Sequence, residues 1–407
     1  MNLLERAKRL DCEDAVAPFR NRFQLPEGII YLDGNSLGAL PKATPAAMAR
    51  AVENEWGQGL IRSWNEAGWF ELGARVGAKI APLIGALPHE VIATDTVSIN
   101  LFKLISAALA KRPGRKVVLS EAGNFPTDVY MIQGLEQHGL AKRRLVDRAD
   151  LGTALTEDVA LLMLTHSHYK TGEVFDIISS TKAAHDVGAL VLWDLSHSTG
   201  ALPVHLNEAG ADFATGCGYK YLCGGPGAPA FAFVAERHLN GLKQPLTGWF
   251  GHARPFAFLD DYEPAQGVEQ LQCGTSPVLG LTALEVGVDL INEIGIERLY
   301  AKSRALSEFF IENIAALGID LELVSPAESL SRGSQLSFRH HHAYAICQAL
   351  IARGVIGDFR DPDILRLGFA PAYLSFANVA EAARHLSEVL SGQEWQGKAF
   401  SQRGAVT

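Results

Sequence analysis

The stretch Ala189–Gly227, ALVLWDLSHSTGALPVHLNEAGADFATGCGYKYLCGGPG, decides how the rest of the chain reads. An apolar run, Ala189 to Trp193, ends on Asp194, with His197 three positions later. Lys220 stands between Tyr219 and Tyr221, ahead of Gly224-Gly225-Pro226-Gly227. The carboxyl end of a buried strand is where open α/β sheets bind their ligands. A lysine on the turn after the next strand can curve back over the same spot. An aldehyde cofactor needs both groups: an amine for a Schiff base and an acid for its ring nitrogen.

Outward from this stretch, strands and helices alternate. Strands are expected at Val91–Ala93, Lys116–Leu119, Val159–Leu164, Asp212–Thr215 and Ala230–Val234. Helices are expected at about 2–23, Thr44–Trp56, Glu71–Ile84, Leu101–Ala110 and Thr181–Val187. Apolar strands alternating with helices predict an α/β fold with a mainly parallel sheet covered on both faces. After about Gly280 the pattern changes. Leu281–Leu317 is helix-rich, and Gln335–Arg339, His342–Arg353, Val355–Phe359 and Ile364–Gly368 suggest a small α+β domain. The expected division is a large domain at 45–285 and a small one formed by 1–44 and 286–407.

Composition narrows the function class. With 36 Lys and Arg against 45 Asp and Glu, the net charge is −9. That disfavours a nucleic-acid partner, which needs a basic face, and an anionic membrane surface. Cys12, Cys217, Cys223, Cys273 and Cys347 form no paired spacing and read as free thiols in a reducing compartment. The amino-terminal MNLLERAKRLDCEDA has no secretory core, and no apolar run spans a bilayer, so a cytoplasmic location is expected.

Each candidate site residue has two readings. Lys220 is a surface lysine or a buried nucleophilic amine. Asp194 is a turn residue or the partner of a pyridine nitrogen. Thr96-Val97-Ser98 opens a helix after a strand, and is an ordinary N-cap or a phosphate site. Phe125 is a core aromatic or a ring that stacks on a flat cofactor. Arg366, in the apolar strand Leu365–Phe369, is half of a structural salt bridge or a clamp for a substrate carboxylate. His166 and His168 at a strand end allow a metal-hydrolase reading, but no H-E-x-x-H or cysteine pair supports it, and no metal is expected. The consecutive His340-His341-His342 reads as a solvated loop. No G-x-G-x-x-G follows a strand and no Walker sequence is present.

Taken together, Leu32-Asp-Gly-Asn-Ser-Leu-Gly38, Asn124-Phe-Pro-Thr-Asp128, Trp193-Asp-Leu-Ser-His197, Gly218-Tyr-Lys-Tyr221, Gly248-Trp-Phe-Gly251 and Arg366-Leu-Gly-Phe-Ala-Pro371 resemble the kynureninases over nearly the whole chain. These are pyridoxal-phosphate (PLP) enzymes of the aspartate-aminotransferase fold group, fold type I, with a seven-stranded-type sheet. The resemblance implies Lys220 as the Schiff-base lysine, Asp194 on the ring nitrogen and Phe125 stacked on the ring. Thr96, the Val97 backbone, Asp128, His197 and Tyr219 would hold the phosphate and ring substituents, with Thr165 a further contact. Trp249 and Thr275 look like phosphate contacts donated by a second subunit, implying a homodimer. Arg366 would take the substrate α-carboxylate, with Asn35, Ser36, Trp64 and Gly274 also near the substrate. Tyr219 is the candidate acid–base group beside the lysine.

The implied reaction is hydrolytic cleavage of L-kynurenine to anthranilate and L-alanine. Animal members that prefer 3-hydroxykynurenine carry His, Ser and Asn where this chain has Trp64, Gly274 and Thr275. The set here is similar to bacterial members that prefer L-kynurenine. The rivals are another enzyme of the same fold, such as a cysteine desulfurase, and a non-catalytic protein that kept the fold.

Overall fold

The computed structural model describes residues 3–400 and 402–403; residue 2, where the first helix was expected to begin, lies outside them. Its centre is a seven-stranded sheet. The strands are β1 (Val91–Ala93), β2 (Val117–Glu121), β3 (Lys142–Val146), β4 (Val159–Thr165), β5 (Leu190–Asp194), β6 (Phe213–Gly216) and β7 (Phe231–Val234). Their spatial order is β1-β7-β6-β5-β4-β2-β3. Only β7 runs antiparallel to its neighbours. This is the mostly parallel α/β sheet that the alternation predicts.

Burial explains why β5 reads as a continuous apolar run. All five of its residues are buried, because helices cover both faces of a parallel sheet. Trp193 is fully buried, and its indole N–H reaches Thr181 Oγ1 at 3.3 Å on the helix Ile177–Asp186. A buried indole needs such a partner. Truncating Trp193 to Ala would cost about 3–5 kcal/mol. In-register pairing with β4 brings Thr165 beside Asp194, and pairing with β6 brings Thr215 beside it on the other side. Three strands therefore end on one line.

One strand of this sheet escapes the sequence pattern. β3 lies at the sheet edge with the sequence KRRLV, and none of its residues is fully buried. Lys142, Arg143 and Arg144 discourage edge-to-edge pairing with another chain, and they also hide the strand from a search for apolar runs. The helix expected at 2–23 stops at Glu13; Ala17–Arg22 forms 3-10 turns with Pro18 near their start. The expected helix at Thr44–Trp56 is α-helical only to Ala49 and continues to Gly59 with π geometry. The helix-rich segment after Gly280 is two helices, Val278–Ile294 and Ile296–Ala316, broken at Gly295 with φ +89°.

A second, antiparallel sheet contains β8 (Glu322–Leu323), β9 (Gln335–Arg339), β10 (Asp358–Arg360) and β11 (Ile364–Gly368), in the order β8-β9-β11-β10. The amino-terminal segment joins this region. Ile30–Tyr31 pairs in parallel with Val355–Ile356, and the Gly368 amide donates to the Leu32 carbonyl at 2.7 Å. The loop Asp33–Gly38 is thereby carried from this region onto the end of the large sheet. Gly38 donates from its amide to the Tyr219 carbonyl at 2.8 Å. A Cβ at Gly38 would come within 2.2 Å of the Lys220 carbonyl oxygen, so only glycine lets the two loops meet so closely.

Candidate active site

A cavity of about 480 Å³ opens at the carboxyl ends of β4, β5 and β6. Thr96, Val97, Phe125, Thr165, Asp194, His197, Tyr219 and Lys220 all line it. Residues up to 124 positions apart in the chain thus converge on one space, as the doubly wound sheet requires at the ends of its strands.

Lys220 is buried, and its Nζ lies 2.9 Å from Nε2 of His197. Burial lowers the lysine's pKa from its ordinary value, an effect that Cys217 and Asp194 partly oppose. Burial, reinforced by Lys220, holds His197 well below the usual imidazole range. A neutral His197 accepting at Nε2 carries its proton on Nδ1, and Nδ1 is buried without a partner. The Nζ also lies 5.9 Å from the Phe125 ring centre and 5.8 Å from that of Tyr219. Phe125 is fixed edge-on against Tyr169 at 5.3 Å.

Of two neighbouring carboxylates, Asp194 lines the cavity and Asp128 does not. Asp194 Oδ1 accepts from the Ser196 amide at 2.8 Å. Asp128 is fully buried and faces Asp194, and burial with that neighbouring charge pushes its carboxyl well up. Burial also raises Asp194. Thr165 Oγ1 contacts Asp128 Oδ2 at 3.0 Å and Asn124 Oδ1 at 2.5 Å. Asp128 Oδ1 has no partner. Two buried acids with an open oxygen are a site for a positively charged donor.

The third wall is the start of the helix Val97–Lys111. Thr96 caps it, with Oγ1 accepting from the Ile99 amide at 3.3 Å. The N-cap reading therefore holds. It does not exclude the anion reading, because the first amides of a helix have no intrahelical acceptor. Asp95 precedes the cap in left-handed backbone, at φ +51°. Its carboxylate is held by the buried Lys103.

These features suit PLP. Asp194 would accept a ring N–H, aromatic Phe125 would flank a flat ring, Lys220 would supply the amine, and a helix start would receive the phosphate. Asn124, Ser196, Tyr169 and Cys217 belong to the same setting and were not singled out from the sequence. No residue type flags them; sheet register and loop closure bring them in.

Arg366 does not line this cavity. It is buried on β11 and held by Asp358, to which it donates from Nε at 2.7 Å and again from Nη2. Nη2 also reaches Ser36 Oγ at 2.9 Å, and Nη1 reaches the Tyr169 carbonyl at 2.6 Å. The salt-bridge reading is thus realised. One of the five guanidinium N–H groups, on Nη1, is left over. Asp358 could not be recognised from the sequence as the partner; β10–β11 register places it opposite Arg366. Asn35 is buried against Gly368, where a Cβ would come within 1.9 Å of its Oδ1.

Trp64, Trp249, Gly274 and Thr275 also lie outside the cavity walls. Trp64 and Trp249 both pack on Phe250, at 5.7 and 4.9 Å between ring centres. The Phe250 amide donates to the carbonyl of Cys273, next to the exposed Gly274 and Thr275. His166 and His168 do not form a shared ligand set. His166 packs on Trp193, while His168 Nε2 lies 3.1 Å from the Gly123 carbonyl. All five cysteines are free.

Comparison with known proteins decides the family. The chain is 48% identical over 416 residues to a kynureninase from Burkholderia mallei (strain SAVP1), covering 100% of both chains. This chain belongs to the kynureninase family. A kynureninase from Pseudomonas fluorescens is likewise 48% identical, over 98% of each chain. The family model of the kynureninase C-terminal domain matches residues 299–386. Among solved structures, the apo cysteine desulfurase of Thermococcus onnurineus NA1 superposes with a TM-score of 0.78 at 19% identity, over 92% of this chain and 98% of that one. The cystine C-S lyase C-DES, in complex with cysteine persulfide, gives 0.76 at 18% identity over 89% and 98%. At that identity these neighbours speak for the fold that kynureninases share with them.

Proposed function

We infer that this chain is a PLP-dependent hydrolase that cleaves the Cβ–Cγ bond of L-kynurenine, giving anthranilate and L-alanine. The observation that carries the reading is a buried lysine against an imidazole, in one cavity with the buried Asp194, in a chain with full-length kynureninase relatives. When bound, PLP supplies an electrophilic imine carbon and an electron sink. Thr96, Val97, Asp128, Thr165, Asp194, His197 and Tyr219 would hold it, and Phe125 would flank its ring.

The side chains then have definite tasks. Lys220 Nζ, whose charged form burial disfavours, takes the proton from the substrate Cα. Asp194 would pair with the ring nitrogen and stabilise positive charge there, with Asp128 beside it. Tyr219 is raised by burial, with further contributions from Cys217 and Asp194, so its hydroxyl stays protonated at neutral pH. A hydroxyl held in that state can give a proton to the alanyl Cβ as the Cβ–Cγ bond breaks, with the oxygen of the hydrolytic water left on the aroyl carbon. Arg366 offers its remaining N–H to the α-carboxylate.

The finer readings belong to the same proposal. A homodimer is supported by an exposed aromatic surface. Trp56, Trp249, Phe256 and Phe258 are 59%, 42%, 66% and 84% exposed, a costly display for a lone chain. Trp64, Trp249, Gly274 and Thr275 share that surface and would reach the partner's cavity. Such a set favours L-kynurenine over 3-hydroxykynurenine. The pairing of Ile30–Tyr31 with Val355–Ile356 supports a small domain of 1–44 with 286–407, beside a large domain at 45–285. The charge and free cysteines support a cytoplasmic enzyme with neither nucleic acid nor membrane as partner.

The test is stoichiometric. Purified protein with PLP and L-kynurenine should release fluorescent anthranilate and alanine in equal amounts. Release of alanine without anthranilate, or no turnover, would overturn the reading. A desulfurase would show sulfur release from cysteine instead. The thiol that lines the cavity, Cys217, is buried and pushed up by that burial, which does not suit a mobile nucleophile.

A further inference from the structure

Around Arg366 lies a cluster of which the reaction described above uses only Arg366. Asp33, Ser36, Asp358, Arg360 and Arg366 meet where the amino-terminal loop crosses β10 and β11. Asp358 is saturated with donors. Its Oδ1 takes Arg366 Nε at 2.7 Å, and its Oδ2 takes Arg366 Nη2, Ser36 Oγ at 2.8 Å and Arg360 Nη2 at 2.6 Å. Asp33 lies against Asp358 and Ser36 yet has no cation bonded to it, and its Oδ1 is buried without a partner. Two acids thus share two arginines, and only one acid is paired.

The charge count has a consequence for the ligand. Arg360, Arg366 and Asp358 together carry one positive charge, which matches one carboxylate. If Asp33 is also ionised, the cluster is neutral before the ligand arrives, and an incoming carboxylate meets a buried, unpaired anion. We propose that docking of the substrate α-carboxylate on Arg366 is coupled to protonation of Asp33, which makes Asp33 the positioning residue that sets the pH range of substrate binding. The proposal rests on the reading of Arg366 as the carboxylate clamp.

The surroundings favour Asp33 as the group that takes the proton. Burial, then the charge of Asp358, push its carboxyl up to about 7, against the pull of Arg366 and Ser36. Asp358 is held below the usual range, because Arg366 and its hydrogen bonds, with Arg360 and Ser36, outweigh burial. The other titratable groups facing Asp33 are Tyr31 beside it, Tyr221 after the active lysine, Tyr373, and Cys347 from the helix Ala343–Ala352. Burial pushes all four upward, so they stay neutral near pH 7. By linkage, a carboxylate that binds better to the protonated form must take up a proton when it binds above Asp33's pKa. Its affinity falls as pH rises through that value.

The probe is a 3-aroylpropionate, the kynurenine skeleton without its amino group, measured as a competitive inhibitor of the PLP-loaded enzyme between pH 6 and 8.5. Its inhibition constant should be flat below about pH 7 and rise about tenfold per pH unit above it. Asp33→Asn should bind it as tightly at pH 8.5 as the wild type does at pH 6. The neutral amide of the same probe should show no slope. Calorimetry in buffers of different ionisation enthalpy should find uptake of close to one proton per ligand at pH 8 and none at pH 6. A flat wild-type profile, an equal slope with the amide, or absent proton uptake overturns the coupling, even if Asp33→Asn fails to fold. Arg366→Ala separates the two claims. Unchanged probe affinity in that variant removes the clamp itself. Weakened affinity there, with a wild-type slope persisting in Asp33→Asn, leaves the clamp and removes the role of Asp33.

Discussion

The ε-amine of Lys220 lies 2.9 Å from the Nε2 of His197, amine against imidazole, both buried. Burial disfavours the charged form of both groups, so the contact is that of a neutral imidazole accepting from an amine inclined to give up its proton. A lowered lysine pKa favours condensation with an aldehyde. Lys220→Ala should therefore lose the borohydride-reducible visible absorbance that PLP confers on the wild type. A reducible chromophore persisting in the variant would move the attachment point elsewhere.

Tyr219 is the second test. Its hydroxyl is kept protonated by burial, and its ring flanks Lys220. Tyr219→Phe should still bind PLP with the wild-type spectrum, while kcat falls by about 10²–10⁴, the usual worth of a positioned acid. Full turnover in the variant would end the assignment.

The Arg366–Asp358 pair separates binding from stability. Arg366→Ala should raise KM by a factor equivalent to about 1.5–3 kcal/mol, the loss of a charge-assisted hydrogen bond. The same change also leaves Asp358 with fewer partners. Asp358→Ala should cost about 3–5 kcal/mol in urea unfolding, since it leaves a buried guanidinium uncompensated. Equal effects on KM and stability from both variants would argue for a purely structural pair.

Asp212 predicts an acid limit of stability. It is buried at the start of β6's strand turn, where it accepts from the Val191 amide at 2.8 Å, from His185 and His238 at 2.8 and 2.7 Å, and from Arg237 at 2.7 Å. Burial alone would raise its carboxyl, but the bonds from His238, His185, Val191 and Arg237 hold it well below the usual range. A depressed carboxylate stabilises the fold above its unfolded pKa of about 3.9 and loses that contribution as pH falls toward its folded value. The stability gap between wild type and Asp212→Asn should narrow as pH falls below about 4. A gap that keeps widening below about pH 4 would contradict the assignment.

The aromatic surface predicts assembly. Wild type should sediment as a dimer, and Phe256→Asp with Phe258→Asp should shift it toward single chains and weaken PLP retention together. Dissociation without any change in PLP affinity would show that the partner contributes nothing to the cavity.

Local sequence determined the strands with apolar runs, the place of Lys220 and Asp194 at their ends, and the cap at Thr96, because these follow from short-range periodicity and backbone chemistry. The resemblance carried the family, since its motifs are spread over nearly the whole chain. The edge strand Lys142–Val146 was illegible because its residues answer to solvent, not to a core. Only the tertiary structure decided that Asp358 faces Arg366, that Asp128 faces Asp194, and that Asp33 is left without a cation. Those pairings depend on strand register and on the crossing of segments more than 300 residues apart, such as Ser36 and Asp358. No local propensity encodes them.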